Sequence, residues 1–255
     1  LNFLNKITIL LPVLVLLSGC YDRTDQTLSP PENARRVTVA VKVPDGITLL
    51  PMQMLYRSER CKTKSYNSSN EAYEIRGYNG FKQAFSSEGS NGIRQQRIAI
   101  DGGGPCQWQL NSLRVSFTLP PSSLLVKGKN VIETNYIFDF DDYGLSDGYG
   151  TGRAKEINGN INLNTIFFPM LINHLDNDVD LALFGGDTEY EQWRRRFRLK
   201  NTQNIYIEPV VHFNKVVVLN PPEIRPGNLT ATYPDGSREE IPRISPDYEK
   251  LLSMK

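Results

Sequence analysis

Between Arg36 and Val43 every second residue is a valine, with Val37, Val39, Val41 and Val43 falling on one side of an extended chain. Side chains alternate faces along a strand, so this period of two describes a half-buried β-strand, and Pro44-Asp45-Gly46 after it is a turn signal. Similar stretches, mostly bounded by Gly, Pro, Asn or Asp, recur at 93–100, 112–119, 130–140, 156–163, 205–213, 215–219 and 229–233. Strand and helix do not alternate in the manner of a parallel α/β sheet, and no fixed repeat period is present. The expected fold is mainly β, an antiparallel β-sandwich-like domain with a few short helices. Two segments are expected to be helical: 164–175, apolar but interrupted by Pro169, and 188–198, which also reads as a strand through Trp193, Arg195, Phe197 and Leu199. Residues 245–255 read as one short helix, after a hairpin turning at Pro234-Asp235-Gly236.

The first twenty residues have a different character. Lys6 precedes an apolar run of eleven residues from Ile7 to Leu17, interrupted by Pro12. A membrane-spanning helix needs about 20 apolar residues, so this run fits an export signal better than a permanent span. Leu17-Ser18-Gly19-Cys20 resembles the lipobox of bacterial lipoproteins. That resemblance implies cleavage after residue 19 and lipid on Cys20, with fatty chains as the membrane anchor. It also implies outer-membrane placement facing the periplasm, because Tyr21 stands where similar lipoproteins retained at the inner membrane carry Asp. The expected organisation is a signal peptide at 1–19, a flexible tether at 20–34 stiffened by Ser29-Pro30-Pro31, and a β-rich domain at 35–219. A C-terminal hairpin and tail at 220–255 complete it, separated by the Pro-rich stretch 220–227 or continuous with the same domain.

The chain has 29 Lys and Arg against 28 Asp and Glu, and removing 1–19 takes away one Lys and no acid. A balanced charge with no dominant basic run argues against a nucleic-acid partner. Of the three cysteines, lipidation of Cys20 leaves Cys61 and Cys106, which in an oxidising compartment are expected to form a disulfide. They are far apart, with no CxxC and no nearby histidine, which disfavours a redox or metal pair.

Catalytic signatures are scarce. Gly-x-Ser-x-Gly is absent, and two histidines, His174 and His212, cannot form HExxH. The acidic stretch from Asp139 to Tyr149 has the alternating oxygens of a calcium loop but departs from it at Tyr143 and Gly150. Asp176-Asn177-Asp178-Val179-Asp180 lacks the glycine of such a loop. Gly102-Gly103-Gly104 precedes Pro105-Cys106 without the Lys-Ser/Thr of a phosphate loop, so it reads as a tight turn entering the disulfide. Arg194-Arg195-Arg196 reads as a charged face, and Trp108 and Phe117 as core. No catalytic residue, metal or cofactor is expected.

Tyr56-Arg57-Ser58 leading to Cys61, Gly80-Phe81-Lys82, and Ile100-Asp-Gly-Gly-Gly-Pro-Cys-Gln-Trp-Gln-Leu110 together resemble periplasmic immunity lipoproteins encoded beside phospholipase effectors of the type VI secretion system. The resemblance implies a non-enzymatic protein that binds and neutralises a secreted phospholipase. Aromatic anchors among charges are common in tight interfaces, which makes Asp139, Asp141, Asp142, Tyr143, Asp147 and Tyr149 the expected partner contacts. An envelope glycan-acting enzyme with loop carboxylates and a structural envelope lipoprotein remain as alternatives.

Overall fold

The structure, a computed structural model, describes residues 25–86, 89, 91–141, 154–185, 195–224 and 226–254. From the N-terminal side come β1 (Arg36–Lys42), β2 (Thr48–Leu49), the long pair β3 (Met52–Tyr66) and β4 (Ala72–Gln83), β5 (Ile93–Ala99), β6 (Asp101–Gly103) and β7 (Trp108–Thr118). The middle supplies β8 (Asn130–Val131), β9 (Thr134–Asp139), β10 (Lys155–Asn158), β11 (Ile161–Leu163), β12 (Ile166–Asn173) and β13 (Val179–Phe184). Then follow β14 (Arg195–Lys200), β15 (Asn204–Ile207), β16 (Val210–Val211), β17 (Val217–Asn220), β18 (Leu229–Thr232), β19 (Arg238–Ile241) and the short helix α1 (Tyr248–Ser253).

Among the described residues these strands form three sheets. The first has the order β11-β15-β1-β5; the second has β10-β14-β9-β7-β3-β4 with β2 and β6 added to β7; the third has β19-β18-β17-β12-β13-β8 with β16 beside β12. The long ladders of β3 with β4 and of β7 with β3 and β9 are antiparallel. Parallel pairs insert late strands beside early ones: β14 joins β9, β15 joins β1 and β17 joins β12.

The alternation in β1 has the expected consequence: Val37, Val39 and Val41 are buried while Arg36, Thr38 and Ala40 are half-exposed. They meet Met52, Met54 and Tyr56 of β3 and Leu113, Val115 and Phe117 of β7 in a core between the first two sheets. Phe117, Tyr136 and Phe167 interlock there, with ring centroids 5.5 to 6.4 Å apart. Trp108 and Phe117 belong to this core, and each buried side chain of this size contributes roughly 2–3 kcal/mol.

Segment 164–175, expected to be helical, is instead the strand β12. Phe167 and Leu171 face the first core, while Phe168, Met170 and Ile172 face a second one shared with Leu219, Tyr233 and Leu251 of α1. A strand buried on both faces has no polar side and so loses its period-two signature. Pro169 is tolerated because the neighbouring ladder is interrupted there: β16 pairs at Ile166 and Phe167, and β17 takes over at Met170. Of 188–198, the described part beginning at Arg195 is strand. The C-terminal hairpin and helix appear as expected, and the hairpin extends the third sheet through β17 and β18.

Arg195 and Arg196 are not a charged face. Arg195 is buried, donating to the Gly185 and Asn135 carbonyls at 2.6 and 3.1 Å and lying over the Tyr136 and Phe167 rings. Burial lowers its pKa to about 10, so it remains a cation at neutral pH. Arg196, on the opposite face of β14, donates to Asp139 at 2.6 Å.

Candidate functional site

Residues 56–61, 80–82 and 100–110 meet at one corner. Between Ser58↔Gly77 and Lys62↔Arg76, β3 accommodates Glu59, Arg60 and Cys61 with no counterpart on β4. Such a bulge leaves backbone donors needing partners, and the Ser58 hydroxyl supplies them. Its oxygen accepts from the Arg60 and Cys61 N–H groups at 3.1 and 2.8 Å and donates to the Cys106 carbonyl at 2.6 Å. The bulge turns Cys61 towards Cys106, and the two form the expected disulfide, with Cα atoms 5.3 Å apart. Gly77 has to be glycine, because a Cβ there would overlap the Cys61 carbonyl. Tyr56 donates its hydroxyl to the Ala99 carbonyl at 2.7 Å, and Phe81 packs edge-on against its ring.

The chain ahead of β1 is strapped to this corner. Trp108 donates its indole N–H to the Gln26 carbonyl at 3.1 Å, and Asn79 donates to the same oxygen at 3.0 Å. Ser29 donates its N–H to Gly102 and accepts from Gly104. Gly103 and Gly104 have φ of +59° and +73°, and a Cβ on either would overlap the Ser29 or Thr27 carbonyl, so the triple glycine is a docking surface as well as a turn. The tether expected at 20–34 is therefore corrected: from Gln26 onward it is part of the folded body.

Beyond the bulge, β3 and β4 continue as a two-stranded arm in which no residue of 62–66 or 72–75 is buried. Five residues of strand carry it roughly 17 Å past the disulfide. Tyr66 and Tyr73 on its two strands are 62% and 48% exposed, set among Lys62, Lys64, Glu71 and Glu74, and Tyr78, on the root side of the bulge, is 54% exposed. The tip is ordered by Asn67, whose side-chain oxygen accepts from the Ser69 and Glu71 N–H groups, both at 2.9 Å. At the root, Arg76 joins Glu59 at 2.7 Å to Asp141 at 2.8 Å.

The expected partner contacts divide accordingly. Asp139 is 1% exposed and committed to Arg196, so it is removed from any contact surface. Asp141 is engaged by Arg76 and helps hold the arm's root. Asp142, Tyr143, Asp147 and Tyr149 lie outside the described residues, as does Cys20. His174 pairs with Asp180 at 2.9 Å beside the turn between β12 and β13, and His212 stacks on Phe168, so the two histidines serve separate places. Among the described residues no three His, Cys, Asp or Glu side chains gather as a metal site.

Beside the arm's root, the ends of the first two sheets enclose a cleft of about 940 Å³. Arg35, Arg36, Arg76, Arg97 and Lys200 all line it. Arg35 grips Asp101 through three contacts of 2.7 to 3.2 Å, and that guanidinium holds the Asp101 carboxyl below the usual carboxylate range.

Sequence reasoning missed the arm because its outer half has no apolar side. The available signal was Asn67-Ser68-Ser69-Asn70, a turn-rich tetrad flanked by Tyr66 and Tyr73. Neither a protein-family model, nor a curated protein, nor a solved structure matches this chain.

Proposed function

We propose that this chain is a lipoprotein of the outer membrane, anchored through Cys20 and facing the periplasm. In this reading it is an immunity protein that binds and neutralises a phospholipase effector of the type VI secretion system, with no catalytic activity of its own. The observation that carries the binding role is the arm. A two-stranded ribbon is marginal in water, yet this one is stapled at its root by the disulfide, pinned by Arg76 and ordered at its tip by Asn67. Tyrosines carried on an ordered ribbon provide contact area with less backbone entropy left to lose on binding.

The sequence resemblance supports the same reading from another side, since Tyr56, Ser58, Cys61, Phe81, Cys106 and Trp108 build the corner from which the arm projects. Anchoring adds a geometric advantage. Gln26, whose carbonyl is tied to the corner by hydrogen bonds, is six Cα–Cα steps from Cys20, which can span at most about 20 Å. The corner and arm are thereby kept close to the surface on which a phospholipase acts, which raises the effective concentration of the blocker.

The reading requires a phospholipase gene beside this one, and the test lets its product act on phospholipid vesicles while the purified lipoprotein is titrated in. Inhibition that completes at one equivalent, and is lost with Tyr66→Ser/Tyr73→Ser, is the expected result. Undiminished hydrolysis in the presence of a large molar excess overturns the proposal.

A further inference from the structure

The cleft beside the arm's root contains cations of two kinds. Arg35 is matched by Asp101, Arg76 by Glu59 and Asp141, and Lys200 by Glu156. Arg36 and Arg97 are different: neither has an ion pair or a side-chain hydrogen bond among the described residues, though both line the same cleft.

Strand register places them together. In the antiparallel pair of β1 with β5, Thr38 lies opposite Arg97 and Arg36 opposite Ala99. In the parallel pair of β1 with β15, Thr38 lies opposite Asn204. With Val37 and Val39 turned into the core, Arg36 and Thr38 share the outward face, so Arg97, Thr38 and Asn204 form a row across three strands. Adjacent strands are about 4.8 Å apart, and Arg36 is a diagonal neighbour of Arg97 at roughly 7 Å. Two arginine positions thus neighbour one hydroxyl-bearing position on the same face. Like charges so placed repel, and a bound anion relieves that repulsion.

The side-chain amides of Gln203 and Asn204 border the same cleft and are also uncommitted to protein partners among the described residues. Ile100, Leu110, Phe140 and Leu199 add apolar wall. The volume suits a small molecule rather than a single ion.

We propose that this cleft binds a phosphomonoester carried on an oxygen-rich body such as glycerol or a sugar. Arg36 and Arg97 hold the phosphate over Thr38, and the Gln203 and Asn204 amides meet the hydroxyl or ester oxygens of that body. Two arginines with no ion pair among the described residues match the charge of a phosphomonoester, close to −2 at neutral pH, better than the single charge of a carboxylate. The planar guanidinium also offers paired donors to phosphate oxygens. The same group can arrive free in solution or on a lipid such as phosphatidic acid. This site is independent of the arm and of the immunity reading.

The test titrates the mature chain carrying Cys20→Ser with glycerol 3-phosphate at low salt, alongside glycerol and alongside Arg36→Gln/Arg97→Gln. Co-sedimentation with phosphatidylcholine vesicles, with and without phosphatidic acid, separates the lipid source from the soluble one. Expected is saturable binding of glycerol 3-phosphate, of phosphatidic acid vesicles or of both, none of glycerol, and weakening by about tenfold or more in the double variant. Circular dichroism and the thermal midpoint check that this variant remains folded. Failure of both phosphate probes to bind, or equal binding by the double variant, overturns the proposal.

Discussion

The root of the β3–β4 hairpin and its outer half are made by the same two strands and obey opposite rules. At the root, Tyr56, Ser58, Gly77 and Trp108 are buried, and the backbone passes so close to itself that Gly77 and Gly103 have no room for a side chain. A few residues further out nothing is buried and tyrosines stand in solvent. The contrast teaches that this ribbon's position is decided by its attachment and not by its own packing. Stability therefore belongs to the root, and contact surface to the outer half.

The largest test of this division is removal of the staple. Cys61→Ser/Cys106→Ser releases a cross-link between positions 45 residues apart, worth about 4 kcal/mol on the loop-entropy account. Calorimetry is expected to show a thermal midpoint lower by about 10 °C. An unchanged midpoint would mean that the strap and Ser58 hold the corner without the disulfide.

A smaller effect is expected from acid. Asp101 joins Arg35, at the start of β1, to the glycine loop, and its carboxyl is held below the ordinary 3.8 chiefly by the Arg35 side-chain hydrogen bond. A depressed carboxylate pKa contributes stability that is fully present above the unfolded value and is lost as pH falls through the lower folded value. Because Arg35 is largely exposed, the amount is about 0.5–1 kcal/mol. Urea midpoints of Asp101→Asn should lie below wild type at pH 6 and approach it as pH falls below the ordinary 3.8. Parallel curves would remove this pair from the root's account.

The smallest effect on stability belongs to the arm. Tyr66→Ser and Tyr73→Ser are expected to shift unfolding by no more than about 0.5 kcal/mol, since both rings are exposed. A loss of several kcal/mol would show that the outer half is structural after all, and would break the comparison.

Parts of this architecture were legible from residue order because they repeat a simple rule along the chain. The valines of β1 alternate, Pro234-Asp235-Gly236 turns a hairpin, residues 245–255 contain a helix, and two leftover cysteines pair. Other parts were hidden for a common physical reason: their surroundings come from distant sequence. Segment 164–175 resembled a helix because β12 has apolar side chains for two cores at once. Asp139 read as a surface acid because nothing nearby announces that β14 will lie parallel to β9 and bring Arg196 within 2.6 Å.

Residue order alone thus determined that the chain would form strands, where several of them would lie and which thiols would join. These outcomes follow from local periodicity, turn chemistry and, for the thiols, the expectation that Cys20 carries lipid. Only tertiary structure decided that residues 26–29 are strapped down, that Asp139 is spent internally, that a tyrosine-bearing arm projects from the disulfide corner, and that Arg36 and Arg97 line one cleft with no ion pair among the described residues. Each of these depends on which strands become neighbours, and pairing across tens or hundreds of residues is set by the packing of whole sheets.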